Sequence, residues 1–303
     1  MGYISEWLKQ KMTGHQKQAC EYYETDTIAI ASNTKVEDKG DEYMTVYYDL
    51  LEKFGLDKNK ISYNFEGAGP AVKMYEGTDN GQFCSNIVVY VPRGSQINCF
   101  RGSLAHELWH VKTNSDLIEK IGLDAFVELQ RNQNVAKSLA FKTMAEFFSW
   151  KKAMEENEQE QTTITIASRM SDYKKYIEKK KELEGWIQAY EKLKETRQLP
   201  DGINDSVEEV LKLQEGNIRD FNKILSNGID EYMLCDTLAA HCARCVFEDK
   251  TAEDIYICDD KNEKQLKEIA ALIELNGKKD SLCDIDFEVL GNQILELLST
   301  LKF

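Results

Sequence analysis

Read for apolar periodicity, the chain changes character near residue 97. Tyr43, Tyr47, Leu50, Leu51 and Phe54 share a helical face and Gly55 supplies a stop, which predicts a helix over 41–54. Strand-like segments follow at 61–65, 71–75 and 82–91, the last two flanking Gly77-Thr78-Asp79-Asn80-Gly81, a hairpin turn by composition. Asn86-Ile87-Val88-Val89-Tyr90-Val91 is the strongest strand signal, and Pro92 ends it. An earlier apolar stretch lies at 27–31. Beyond 97 almost everything reads as helix, with segments predicted at 97–113, 116–130 and 135–157.

The later half has its own signature. Tyr173, Tyr176, Ile177, Leu183, Ile187, Tyr190 and Leu193 form an apolar stripe on a charged background. Pro200-Asp201-Gly202 interrupts it, and Val207, Val210, Leu211, Ile218 and Phe221 resume it. Two long helices joined by a turn, an arm over about 170–225, satisfy this pattern. A helix over 229–248, a β-like piece at 254–258 and helices over 263–275 and 286–301 complete the chain.

Composition narrows the possibilities. A chain of 303 residues is long enough for two compact units, and the polar run at 155–161 places a boundary near 160, giving units 1–160 and 161–303. Three prolines in the whole chain leave helices free to run long. The net charge of −15 repels a phosphate backbone and anionic lipid alike, which argues against nucleic-acid and membrane partners. No apolar run approaches the ~20 residues that span a bilayer. The first residues lack a basic start and an apolar core, so they do not read as a secretory signal, and Glu6 stands where a myristoylation motif on Gly2 wants Ser or Thr. The expectation is a cytoplasmic protein whose eight scattered cysteines are free thiols.

Against this background one motif carries chemistry. His106-Glu107-Leu108-Trp109-His110 matches H-E-x-x-H and falls on a predicted helix, with Leu104, Leu108 and Val111 as its buried face. Residues four apart project from one side of a helix, so both imidazoles reach a single cation. Glu107 lies about 100° round from His106 and borders the same space without ligating. In such a site zinc acidifies a water molecule, and the glutamate removes its proton during attack on a carbonyl. That assigns Glu107 as general base and His106 and His110 as zinc ligands.

His106–His110, the strand before it and a later helical glutamate together resemble the zincin metallopeptidases, and among them the gluzincins. The resemblance covers about residues 40–155 and implies an α+β fold: a small sheet plus the H-E-x-x-H helix as catalytic unit, followed by a mostly α-helical C-terminal region. It also implies a third ligand from a glutamate on a following helix, and an edge strand, here 86–91, that aligns the substrate backbone. The lead-in and the Ala145-Glu146-Phe147-Phe148 helix are similar to ImmA/IrrE-type intracellular peptidases. Trp109 departs from that group's small residue, and Trp150 stands where thermolysin-like enzymes carry a second acid.

A hydrolytic zinc site needs three protein ligands and one open position. Glu146 is the favoured third ligand, because a lone carboxylate inside Thr143-Met144-Ala145-Glu146-Phe147-Phe148 is costly to bury unless something compensates its charge. The alternative is a solvated carboxylate on an exposed face. Asp116 competes, since its offset from His106 matches the metzincin ligand, but Thr113 replaces the glycine that turns the chain there. Asp116 also reads as an N-cap for the next helix. Glu119, Asp124 and Glu128 stand behind these two.

Other features read more plainly. Cys235, Cys242 and Cys245 share a helical stripe and read as core thiols rather than, with His241, a second metal site. His241 and Tyr232 are outside candidates for stabilising an oxyanion, against an ordinary hydrogen-bonded role for each. His15 has no partner pattern. The expected function is zinc-dependent hydrolysis of peptide bonds in an intracellular protein or peptide. The competing reading is a non-catalytic regulatory or scaffolding protein that binds a protein partner through the arm.

Overall fold

The computed structural model describes residues 42–65, 71–79, 82–90, 97–130, 135–156, 166–199, 205–226, 230–257 and 259–303. His15, the stretch at 27–31 and the Pro200-Asp201-Gly202 break lie outside them. The described elements are α1 (Glu42–Lys53), β1 (Ile61–Asn64), β2 (Ala71–Asp79), β3 (Gln82–Tyr90), α2 (Ile97–Ile121), α3 (Leu123–Gln130) and α4 (Val135–Glu156), then α5 (Ile166–Thr196), α6 (Val207–Ser226), α7 (Glu231–Phe247), α8 (Glu263–Gly277) and α9 (Phe287–Ser299).

The α+β expectation of a zincin-like sheet-plus-helix unit is therefore corrected: the protein is mostly helical. Its strands form only a small β patch in the order β1-β3-β2, short of the sheet layer that an α+β domain packs its helices on. Within that patch β3 is central, pairing in parallel with β1 and antiparallel with β2. Over Ile87–Tyr90 both of its edges are taken, so that stretch has no open edge with which to align a substrate. The substrate-facing role expected for 86–91 is overturned for the described residues of that run.

Two further departures have local causes. The break expected near 114–116 does not occur, and α2 continues to Ile121. Thr113 turns its hydroxyl back onto the Trp109 and His110 carbonyls, at 2.9 and 3.4 Å, which keeps it inside the helix. The chain turns instead at Gly122, whose φ of +81° suits a residue without a Cβ. The β-like piece expected at 254–258 is not a strand over its described residues: Asp254 ends a 3₁₀ turn, Ala252–Asp254, closed by a Thr251/Asp254 capping box, and 255–257 carry no regular element.

Two hydrophobic clusters meet along α2. The first joins α1, β1, β3 and the N-terminal half of α2, through Tyr47, Leu50, Val89, Phe100 and Leu104. Tyr47 also donates from its hydroxyl to the Ile61 carbonyl at 2.9 Å, tying α1 to β1. The second runs from Leu117 to Leu301 and passes through α4, α7, α8 and α9, so one core extends across residue 160. Trp109 packs against both. At the centre lies α4, contacted by α2, α7, α8 and α9 and buried over most of its circumference.

The arm is a pair of helices packed on each other, with Trp186 of α5 against Phe221 of α6 at 4.9 Å. An Arg197–Glu208 ion pair at 3.0 Å closes its far end, and Ser206 and Glu209 box the start of α6. Its root is anchored by Ile166, Met170 and Tyr173, which join the second core.

Candidate metal centre

The central stretch of α2 is pinned by Phe100, Leu104, Leu108 and Val111, all buried, and this sets which face the helix turns toward α4. His106 and His110, four residues apart, emerge on that face with their Nε2 atoms 3.1 Å from each other. From α4, Met144, Ala145, Phe147 and Phe148 enter the core, and Glu146 alone among them meets the imidazoles. Its Oε2 lies 3.3 Å from His106 Nε2 and its Oε1 3.5 Å from His110 Nε2. Its side chain is only 17% exposed, so the solvated-carboxylate alternative does not hold.

These separations test whether the site suits a cation. Bonds of 2.0–2.1 Å in tetrahedral geometry put neighbouring ligand atoms about 3.4 Å apart. The three distances fall within a few tenths of that, and the donor set, two imidazole nitrogens and a carboxylate, is the hydrolytic zinc set. Among the described residues this is the one group of three His, Cys, Asp or Glu side chains close enough to hold a metal ion.

Glu107 is buried beside them. Burial raises its pKa, Glu146 adds to the rise, and the two histidines oppose it. A carboxylate displaced in this direction is a better match to proton transfer at neutral pH than an exposed one. The His106 ring also lies against Trp150, centroids 4.6 Å apart, so the position that lacks a second acid supplies an aromatic wall.

α7 closes the far side of Glu146. The Tyr232 hydroxyl donates to Glu146 Oε1 at 3.1 Å. Burial, with the nearby Glu146 charge, pushes the phenol well above its usual pKa, so it remains a donor. Asp236 stands one turn along α7 from Tyr232, and burial followed by the nearby Glu146 charge pushes its carboxyl up to about 7. Asp236 was not singled out by the sequence, although the argument that picked Glu146, an acid among apolar neighbours, applies to Leu234-Cys235-Asp236-Thr237-Leu238 as well.

The remaining candidates are elsewhere. Asp116 sits on the continuing α2 helix in an ion pair with Lys112 at 2.6 Å, which removes it as a third ligand. Glu119, Asp124 and Glu128 are exposed. His241 follows Tyr232 by nine residues, half a turn round and about 13.5 Å along α7, and does not reach the site. Cys235, Cys242 and Cys245 are buried free thiols, with Cys242 Sγ donating to the Ala270 carbonyl at 3.4 Å.

The electrostatics carry a pH prediction. Burial opposes charge on His110, but Glu146 outweighs it and the pKa rises above the ordinary 6.5. A cation requires that ring deprotonated, so protons compete with it through a window extending above pH 6.5. In a chelator competition assay zinc affinity is expected to rise at least about tenfold between roughly pH 6 and roughly pH 8. An affinity that does not change with pH contradicts this arrangement.

No helix among the described residues is long and apolar enough to cross a membrane. No family model, no curated protein and no solved structure matches the chain.

Proposed function

We propose that the protein is a zinc-dependent metallopeptidase that hydrolyses peptide bonds in a protein or peptide substrate. The observation that carries this reading is the convergence of His106 Nε2, His110 Nε2 and Glu146 at ligand-to-ligand spacing, with Glu107 buried beside them. The gluzincin resemblance of the motif, with its third glutamate on a later helix, supports the same assignment. The buried free thiols support a reducing, cytoplasmic setting.

His106, His110 and Glu146 would hold the ion. Bound zinc supplies Lewis acidity, polarising the scissile carbonyl and making water a better nucleophile. The Glu107 carboxylate accepts a proton from the attacking water as its oxygen bonds to the carbonyl carbon. The same carboxyl then passes that proton to the leaving nitrogen as the C–N bond breaks, giving a carboxylic acid and an amine. Trp150, packed on the His106 ring, restricts that ring's rotation and helps keep Nε2 aimed at the ion.

A second reading is a regulatory protein that keeps the metal for structure and binds a partner through the arm. The exposure of Leu213 and Ile224 on α6, 64% and 49%, favours it, since apolar side chains there are available to a partner. Elemental analysis of the purified protein and of His106→Ala, run beside a peptide-library cleavage assay, separates the two. One zinc per chain that is lost in His106→Ala, together with cleavage, supports the peptidase. Zinc without cleavage of any library member favours the regulatory protein, and no zinc at all overturns both.

A further inference from the structure

We infer that α7 is a working part of the metal centre, with Tyr232 as a positioning residue that holds the Glu146 carboxylate in its ligating orientation. The inference rests on the zinc-site reading above and goes beyond it, because the ligands themselves come from α2 and α4 alone. A glutamate head turns about three side-chain bonds, and each orientation lost must be enforced by a neighbour. Glu146 divides its two oxygens: Oε2 faces His106, while Oε1 faces His110 and also accepts from the Tyr232 hydroxyl at 3.1 Å. The head group is therefore held by a hydrogen bond from α7 while it faces the imidazoles, an arrangement by which neighbours orient a metal ligand.

α7 itself is held so that this face cannot rotate away. Leu234, Cys235, Leu238 and Cys242 are buried against the core and fix the helix about its axis. Asp230 caps its start by accepting from the Met233 amide at 3.1 Å, which sets the first turn and with it Tyr232. The Tyr232 ring lies beneath the Lys142 ammonium, 5.6 Å from the centroid, and Lys142 stands one turn before Glu146 on α4. Lys180 of α5 reaches Glu231 at 3.3 Å and ties the root of the arm to the same turn.

The test uses full-length protein: wild type, Tyr232→Phe and His106→Ala. Zinc affinity is read by chelator competition, and ligand geometry by the visible spectrum after substitution with Co²⁺. Tyr232→Phe is expected to weaken zinc binding about tenfold, with a changed cobalt spectrum. Tyr232→Phe removes one oxygen and keeps the ring, so its packing survives. If Tyr232→Phe binds zinc within about twofold of wild type with a superimposable cobalt spectrum, α7 does not position Glu146. If wild type takes up no zinc, or if His106→Ala binds it equally well, the zinc site itself fails and the result is distinct.

Discussion

Glu107→Gln is expected to retain zinc at the wild-type ratio while losing roughly 10³-fold in turnover. Glutamine has the shape of glutamate and fits the same buried position, but its amide cannot take a proton from water. The ligating atoms of His106, His110 and Glu146 belong to other side chains, so the metal remains. His106→Ala should behave differently, losing zinc and turnover together, because removing one of three ligands leaves too few to hold the ion against water. Metal content by elemental analysis and cleavage rate on a substrate identified with wild type distinguish the two patterns. Full activity in Glu107→Gln would mean that another group takes the proton, and the mechanism above would be wrong.

Gly291→Ala is expected to cost about 3 kcal/mol of stability and to lower the melting temperature by roughly 6–10 °C. At Gly291 of α9 the helix lies so close to α4 that an added Cβ would fall on the backbone carbonyl of Ala136. A side chain could swing away from such a clash, but a carbonyl within a helix cannot, so α9 must back off. That separation would loosen Leu290, Ile294 and Leu298, which are buried in the second core. Gly185→Ala is the control. Gly185 sits in α5 with nothing within 4 Å of the added carbon, and there alanine should stabilise by up to about 1 kcal/mol through its higher helix propensity. Thermal unfolding of both variants checks the pair, and equal melting temperatures would refute the close approach of α9 to α4.

Periodicity and spacing were enough to read the paired imidazoles, the glutamate between them and the course of most helices, because these depend on contacts within four residues. The strand at 86–90 was legible for a similar reason: a run of β-branched and apolar residues bounded by Pro92 has few other uses. What lay beyond local reading was partnership. A strand signal does not say which neighbours it will pair with, and β3 sits in the middle of its patch rather than at the edge. The extent of helix was underestimated near Thr113, where a β-branched residue satisfied its hydroxyl inside the helix instead of ending it.

The contest between Glu146 and Asp116 shows the division most clearly. Both are carboxylates at plausible distances along the chain from His110, and local chemistry leaned to Glu146 through the cost of burying its charge and through the missing glycine ahead of Asp116. Packing of α4 against α2 decided the matter, bringing Glu146 onto the imidazoles while the unbroken α2 carried Asp116 round to Lys112. Tyr232 and Asp236 were decided by tertiary structure in the same way, some ninety residues away in sequence. The imidazole pair was determined by the sequence because one helical turn suffices to bring it together; the rest of the cluster required the core to assemble first.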